Sequence, residues 1–67
     1  MITVIANGKP KELPGEMSVS RFLALGSIPA PIVVVELCGE IVRRHDYDST
    51  IIRQGDRIEV VRMMGGG

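Results

Sequence analysis

Aromatic residues, cysteine and histidine are scarce in this 67-residue chain, and each scarcity excludes a class of protein. Phe22 and Tyr47 are its only aromatic residues, so the expected core is built from aliphatic side chains. The single cysteine, Cys38, cannot form an internal disulfide, which fits a reducing compartment such as the cytoplasm. The sequence has no Cys/His cluster with metal-ligand spacing, so we expect neither a metal site nor a bound cofactor.

The chain also lacks an excess of charge of either sign and lacks long apolar runs. The formal net charge is zero and no basic block is present, which argues against a nucleic-acid partner. No apolar run approaches the roughly 20 residues of a membrane span, and no signal peptide is visible, so no membrane partner is expected. The length allows one domain, and a domain of this size buries only about 60% of its unfolded surface, so modest stability is expected.

An alternating apolar pattern opens the chain and predicts a β-strand over residues 1–6. Asn7-Gly8 follows at once and predicts a type I′ hairpin turn, in which both central residues have positive φ. The second strand then covers residues 9–13, and Pro10 places it at a sheet edge because proline cannot donate to a ladder. A two-residue loop sets the register: Ala6 opposite Lys9, and Ile2 opposite Leu13.

A short helix is predicted next, over residues 19–25. Ser18 is the candidate N-cap, and Gly26 is the candidate C-cap. Val19, Phe22 and Leu23 follow the i, i+3, i+4 spacing of one apolar stripe, which we expect to pack on the sheet.

The most apolar run, residues 32–38, predicts a central strand. Glu36 orients it, with Val33, Val35 and Leu37 pointing inward and Val34, Glu36 and Cys38 outward. A short strand at Ile41 and Val42 follows the Gly39-Glu40 turn. A polar loop comes next, in which Tyr47 is expected to cover the core edge, and Ile51 and Ile52 are expected to pack in a short turn.

The last strand is predicted over residues 57–63, after a turn at residues 54–56. Ile58 and Val60 are expected to point inward, and Glu59, Val61 and Met63 outward. The order of elements is a hairpin, a helix and further strands of one mixed sheet, which is the α+β arrangement of the ubiquitin-like β-grasp fold.

The chain ends in Met64-Gly65-Gly66-Gly67, a glycine run that cannot form a core and is expected to be a mobile arm. We therefore divide the chain into a β-grasp domain, residues 1–63, and a flexible tail, residues 64–67. Gly67 is expected to offer a free α-carboxylate that is not hindered by a side chain.

The whole chain resembles the ThiS family, the ubiquitin-like sulfur carriers of thiamine thiazole synthesis. The residues that carry the resemblance are the Asn7-Gly8 hairpin, the stretch Gly39-Glu40-Ile41-Val42, Arg44, the stretch from Gly55 to Val61, and the terminal glycines 65–67. Cys38-Gly39 departs from the family, which often has an Asn-led turn at this point.

The resemblance implies that a ThiF-like adenylyltransferase uses ATP to adenylate the carboxylate of Gly67. A persulfide sulfur from a cysteine desulfurase then replaces the adenylate and leaves a thiocarboxylate, which supplies thiazole synthase. Gly65 and Gly66 would let the arm thread a tunnel in the partner. The chain itself would be a protein cosubstrate and not an enzyme.

Four residues are candidates for the partner interface: Val34, Val61, Met63 and Met64. The first three are predicted to form an outward apolar patch near the tail, and such patches mark binding sites. Three alternatives stay open: a carrier like the small subunit of molybdopterin synthase, a non-conjugated β-grasp binding module such as a TGS-like domain, and an enzyme that uses His45 or Cys38.

Overall fold

The computed structural model describes residues 1–26 and 33–62. Its strands are β1 (Ile2–Ala6), β2 (Lys9–Leu13), β3 (Met17–Ser18), β4 (Val33–Leu37), β5 (Glu40–Val42), β6 (Ile51–Ile52) and β7 (Arg57–Arg62). The helix α1 spans Val19–Leu25, and a 3₁₀ turn, Arg44–Asp46, lies between β5 and β6.

The main sheet has five strands in the order β2-β1-β7-β4-β5. β7 runs parallel to β1 and antiparallel to β4, and the other neighbouring strands are antiparallel. A mixed sheet with one main helix confirms the predicted β-grasp fold. The sequence predicted the apolar strand β4 as the central strand, but the central strand is β7. β4 lies between β7 and β5. An apolar run indicates a strand that has a neighbour on each side, and it does not indicate which strand is in the middle.

The first hairpin forms with the predicted register, in which Ile2 lies opposite Leu13 and Ala6 opposite Lys9. Asn7 and Gly8 have φ values of 50° and 83°, both in the left-handed region, as a type I′ turn requires. Pro10 lies on the edge strand β2, where its missing N–H costs no ladder bond.

The helix α1 also has its predicted bounds, Val19–Leu25. The Ser18 hydroxyl accepts a hydrogen bond from the Arg21 backbone N–H at 3.1 Å, which satisfies one of the free donors at the helix start. The Gly26 N–H donates to the Phe22 carbonyl at 3.3 Å, but the φ of Gly26 is −88°, so this C-cap does not use the left-handed conformation.

The prediction of a short turn at Ile51 and Ile52 is wrong. These residues form β6, which pairs antiparallel with β3 so that Met17 lies opposite Ile52 and Ser18 opposite Ile51. Two-residue strands are too short to show alternation in a sequence, and this pairing depends on the loop being brought back beside the helix start. The Val19 N–H continues the contact by donating to the Thr50 carbonyl at 2.9 Å.

The core lies between the helix and one face of the main sheet, which we call the inner face. Tyr47 belongs to it with 5% of its surface exposed, in agreement with its predicted place at the core edge. The other buried hydrophobic residues are Val4, Leu13, Val19, Phe22, Leu23, Val33, Val35, Ile52 and Ile58. All the inward positions named from the sequence are therefore buried or packed against this core, including Val60 and Leu37.

Candidate functional site

The central strand β7 leads directly into the tail that the sequence singles out. The described part of β7 ends at Arg62, and five predicted site residues lie outside the described residues: Met63, Met64, Gly65, Gly66 and Gly67. The geometry that bears on function is therefore that of the body around the end of β7.

Val61 and Val34 lie on the outer face of the sheet, the face turned away from α1. The two residues are directly opposite each other in the β4–β7 ladder. Val61 is 55% exposed, and Val34 is half-buried. The predicted outward direction of both side chains is confirmed, and they form an apolar pair beside the start of the tail.

An acidic pair, Glu36 and Glu59, lies next to Val34 and Val61 on the same face. The two glutamates are directly opposite each other in the β4–β7 ladder, an arrangement that destabilises a sheet by like-charge repulsion. Ile41, which is 68% exposed, lies opposite Glu36 on β5. Arg57 lies beside the two glutamates, so this face of the sheet combines apolar side chains with charges of both signs.

Asn7 contacts the end of β7 from the other side. Its Oδ1 accepts a hydrogen bond from the Val60 N–H at 2.8 Å, and its Nδ2 donates to the Val60 carbonyl at 3.3 Å. The sequence had marked Asn7 only as a turn residue. No local pattern could reveal the contact, since 53 positions separate the two residues.

Cys38, the residue that departs from the family pattern, has a positive φ like Asn7 in the first hairpin. Cys38 and Gly39, with φ values of 52° and 88°, join β4 to β5, so the turn lies one residue before the predicted Gly39-Glu40 and Glu40 belongs to β5. The Cys38 Sγ lies 3.6 Å from Oδ1 of Asp56, and the Cys38 N–H donates to the Arg57 carbonyl at 2.7 Å.

The loop that carries His45 does not assemble a catalytic set. His45 Nε2 lies 3.6 Å from Asp46 Oδ1, with both side chains at least half exposed. Asp48 instead accepts a hydrogen bond from the Ser20 hydroxyl on α1. This exposed His–Asp contact is not joined to a nucleophile, and the enzyme hypothesis gains no support from it.

Over residues 1–26 and 33–62, no group of three or more His, Cys, Asp or Glu side chains is arranged to hold a metal ion. Within the same ranges, no helix has the length and apolar character needed to cross a membrane.

The family model that matches this chain is that of the ThiS family, over residues 4–67. The chain belongs to the ThiS family. ThiS-family proteins are sulfur carriers of thiamine biosynthesis, so the resemblance drawn from the turns, the last strand and the terminal glycines is confirmed.

Two solved structures of a ThiS-family protein are similar to this chain. The crystal structure of the thiamine biosynthesis protein ThiS of Geobacter metallireducens is 38% identical, has a TM-score of 0.85 and covers 98% of this chain and 100% of that one. The solution structure of a thiamine biosynthesis protein of the same organism is 35% identical, with a TM-score of 0.82, and covers 98% of this chain and 88% of that one.

A third relative is much longer. The chain is 30% identical over 64 residues to a protein named thiazole synthase from Paramagnetospirillum magneticum, a match that covers 96% of this chain. The chain spans only 20% of that protein's length.

Proposed function

We propose that this ThiS-family chain carries sulfur as a thiocarboxylate on Gly67. The observation that carries the proposal is the position of β7: the central strand of the sheet leads into the glycine tail. A strand that pairs with β1 in its first part and with β4 as far as Arg62 gives the tail a fixed origin, while glycines beyond it give a thin arm. The body then serves for recognition and the arm for chemistry.

The chemistry takes place at the Gly67 carboxyl on an activating enzyme. The carboxylate attacks the α-phosphorus of ATP, which releases pyrophosphate and gives an acyl-adenylate. A carboxylate is a poor acyl donor, whereas the adenylate has a good leaving group. A persulfide sulfur then attacks the acyl carbon and displaces AMP, and a thiol cleaves the resulting acyl disulfide to leave the thiocarboxylate.

This chain holds no ATP in the proposed reaction, since the nucleotide belongs to the ThiF-like partner. The persulfide comes from a cysteine desulfurase, and the chain acts as a cosubstrate and not as a catalyst. Gly65 and Gly66 allow the arm to pass through a channel that side chains would block. Fixing such an arm costs about 1–2 kcal/mol of backbone entropy per residue, which docking of the body must offset.

Docking of the activating enzyme is assigned to the outer face at the end of β7. Val61 and Val34 form an exposed apolar pair there, and Met63 and Met64 follow directly in the sequence. Glu36 and Glu59 lie opposite each other beside this apolar pair, and Arg57 lies next to them. We therefore expect the partner to present apolar side chains to Val61 and Val34.

Thiazole synthase is the proposed acceptor of the sulfur. The support is the relative of that name, in which a segment similar to this whole chain occupies a fifth of the length. When a carrier and its acceptor are joined in one chain, the carrier has a high effective concentration at the acceptor. Such a linkage is useful only if the two interact, so we expect them to interact also as separate chains. The competing proposal is a carrier like the small subunit of molybdopterin synthase.

Intact mass spectrometry tests the carrier chemistry. After incubation with an activating enzyme, ATP and a persulfide donor, the wild-type chain should gain the mass of one oxygen exchanged for one sulfur. A chain lacking Gly66 and Gly67 should stay folded and gain nothing, and Gly66→Val should also fail because valine is bulky and restricted in φ and ψ. Loading of the shortened chain, or none of the wild type, would contradict the proposal in favour of a plain β-grasp binding module.

A matched pair of substitutions tests the docking face. Val61→Asp should weaken binding to the activating enzyme, and Met63→Asp should act in the same direction. Leu25→Asp is the control, because Leu25 is 52% exposed, close to the value for Val61, but lies on α1 at the opposite side of the sheet. Equal binding of the Val61 and Leu25 variants would remove the outer face from the interface.

A further inference from the structure

Asn7 extends the contact between β1 and β7 beyond the point where the backbone of β1 turns away. Two bonds of the parallel ladder run from the Ile5 N–H to the Asp56 carbonyl and from the Asn7 N–H to the Ile58 carbonyl, both at 2.9 Å. In a continued ladder, the carbonyl of residue 7 would accept the next bond, from the Val60 N–H. The hairpin turn prevents this, and the Asn7 side chain makes the bond instead.

The carboxamide of Asn7 takes the place of one peptide unit. Its Oδ1 accepts from the Val60 N–H at 2.8 Å, and its Nδ2 donates to the Val60 carbonyl at 3.3 Å. A primary amide carries one acceptor and two donor hydrogens, so it can satisfy both backbone groups of one residue at the same time. We call these two bonds the Asn7–Val60 bridge.

The bridge lies where β7 loses its neighbour on the β1 side. The β1–β7 pairing ends with Ala6 opposite Ile58, whereas the β4–β7 pairing continues through Val61 to Arg62. The Asn7–Val60 bridge therefore holds β7 two residues beyond the last backbone pair, at the last site before the strand is paired on the β4 side alone.

We propose that Asn7 is a positioning residue for the carboxyl that receives sulfur. The inference rests on the proposed carrier function. By holding Val60 on the β1 side while the β4 pairing continues to Arg62, the bridge restrains the direction in which β7 leaves the sheet, and hence the region that the following residues can reach. Reaction with ATP needs the carboxyl within close range of the α-phosphorus, and small misplacements at a reacting centre slow a reaction strongly.

The residue type at position 7 meets two requirements together. The type I′ turn needs φ > 0, which Gly, Asn and Asp tolerate. Of these three, glycine has no side chain for the bridge, and aspartate has an acceptor but no donor for the Val60 carbonyl. Asparagine alone supplies the turn conformation and both hydrogen bonds.

The test compares Asn7→Gly with Cys38→Gly. Both changes place glycine at the first central position of a type I′ turn, where φ is 50° and 52°, but only the first removes the bridge. In Asn7→Gly, hydrogen exchange of the Val60 amide should become about tenfold faster through loss of its bond. Cys38→Gly should leave this amide within about twofold of wild type.

Loading kinetics on the activating enzyme then separate positioning from simple loss of stability. With the carrier as the varied substrate, Asn7→Gly should lower kcat about tenfold and leave KM within about twofold, because the docked body is unchanged while the arm is misdirected. Partial unfolding would act in the opposite way, by raising KM at constant kcat. Cys38→Gly should change neither parameter.

Asn7→Asp separates the two bonds of the bridge. A carboxylate oxygen can still accept from the Val60 N–H, so exchange of this amide should stay within about threefold of wild type. Exchange as fast as in Asn7→Gly would overturn the assignment of Oδ1 as the acceptor.

Three results would overturn the inference, and they differ in what else they affect. An unchanged kcat for Asn7→Gly, or an equal loss in Cys38→Gly, would remove Asn7 from positioning while the loaded wild type still supported the carrier function. A wild-type chain that is never loaded would overturn the carrier function and this inference together.

Discussion

The two hairpin turns of the main sheet, Asn7-Gly8 and Cys38-Gly39, share a backbone conformation and differ in what their first side chain contacts. Their φ values are 50° and 83° in the first turn, and 52° and 88° in the second. Asn7 makes two hydrogen bonds to the backbone of Val60 near the end of β7. Cys38 makes one weak contact, from its Sγ to the Asp56 carboxylate at 3.6 Å.

The comparison shows that the backbone conformation of a turn does not determine which groups its side chains contact. A cysteine can occupy the left-handed position that asparagine occupies in the other turn, although a residue with a Cβ and no short polar group pays for it with strain. The turns also lie at opposite ends of β7, since the Cys38 N–H bonds to the Arg57 carbonyl at the start of the strand. Only the turn at the tail end has a side chain bonded to β7.

Alanine at the first position of each turn should give the largest difference. Asn7→Ala should lower the free energy of unfolding by about 2–3 kcal/mol, from loss of the Asn7–Val60 bridge and from strain at φ > 0. Cys38→Ala should change it by less than about 0.5 kcal/mol, because cysteine already carries that strain. Urea denaturation of both variants would check this, with their m-values compared to the wild type. Equal losses of unfolding free energy in Asn7→Ala and Cys38→Ala would show that the bridge does not stabilise the fold.

Alanine at the second position should remove the difference between the turns. Gly8→Ala and Gly39→Ala should each cost about 1–2 kcal/mol, because φ is near +85° at both and the strain is the same. An added Cβ would meet no atom within 4 Å at either glycine, so backbone strain is the only cost. Thermal unfolding of the two variants should give matching shifts; a clearly larger shift at one turn would mean that its surroundings, and not its φ, limit substitution.

Cys38→Asn should stabilise the protein, by about 0.5–1 kcal/mol, since asparagine tolerates the left-handed region better than cysteine. The free energy of unfolding from urea denaturation would measure the gain. A loss of stability would indicate that the contact of Cys38 with Asp56 is worth more than the relief of strain.

The smallest effect is expected for Cys38→Ser, which should change the free energy of unfolding by less than about 0.5 kcal/mol. The variant should also accept sulfur as the wild type does, because the proposed acceptor is Gly67 and Cys38 lies in a turn beside the start of β7. Intact mass spectrometry after loading would decide this. A folded Cys38→Ser chain that failed to load would place the thiol on the path of the sulfur.

Local signals in the sequence determined the elements whose causes lie within a few residues. The type I′ hairpin with its register follows from Asn7-Gly8, because that turn needs two positive φ values and a two-residue loop leaves one pairing. The bounds of α1 follow from Ser18 and Gly26 together with the apolar stripe between them. The outward direction of Val34 and Val61 follows from strand alternation, and the family follows from the last strand and the glycines after it.

Contacts between distant segments could be decided only by the tertiary structure. The two-residue strand β6 pairs with β3 because the chain folds back beside the helix start, and two residues cannot show a period. The central position of β7 depends on which strands pair with each other. The apolar pattern of a strand indicates its buried side chains and does not indicate its pairing partners. The bridge from Asn7 to Val60 spans 53 positions, so the same asparagine that the sequence identified as a turn residue acquires its second contact only when β1 and β7 lie side by side.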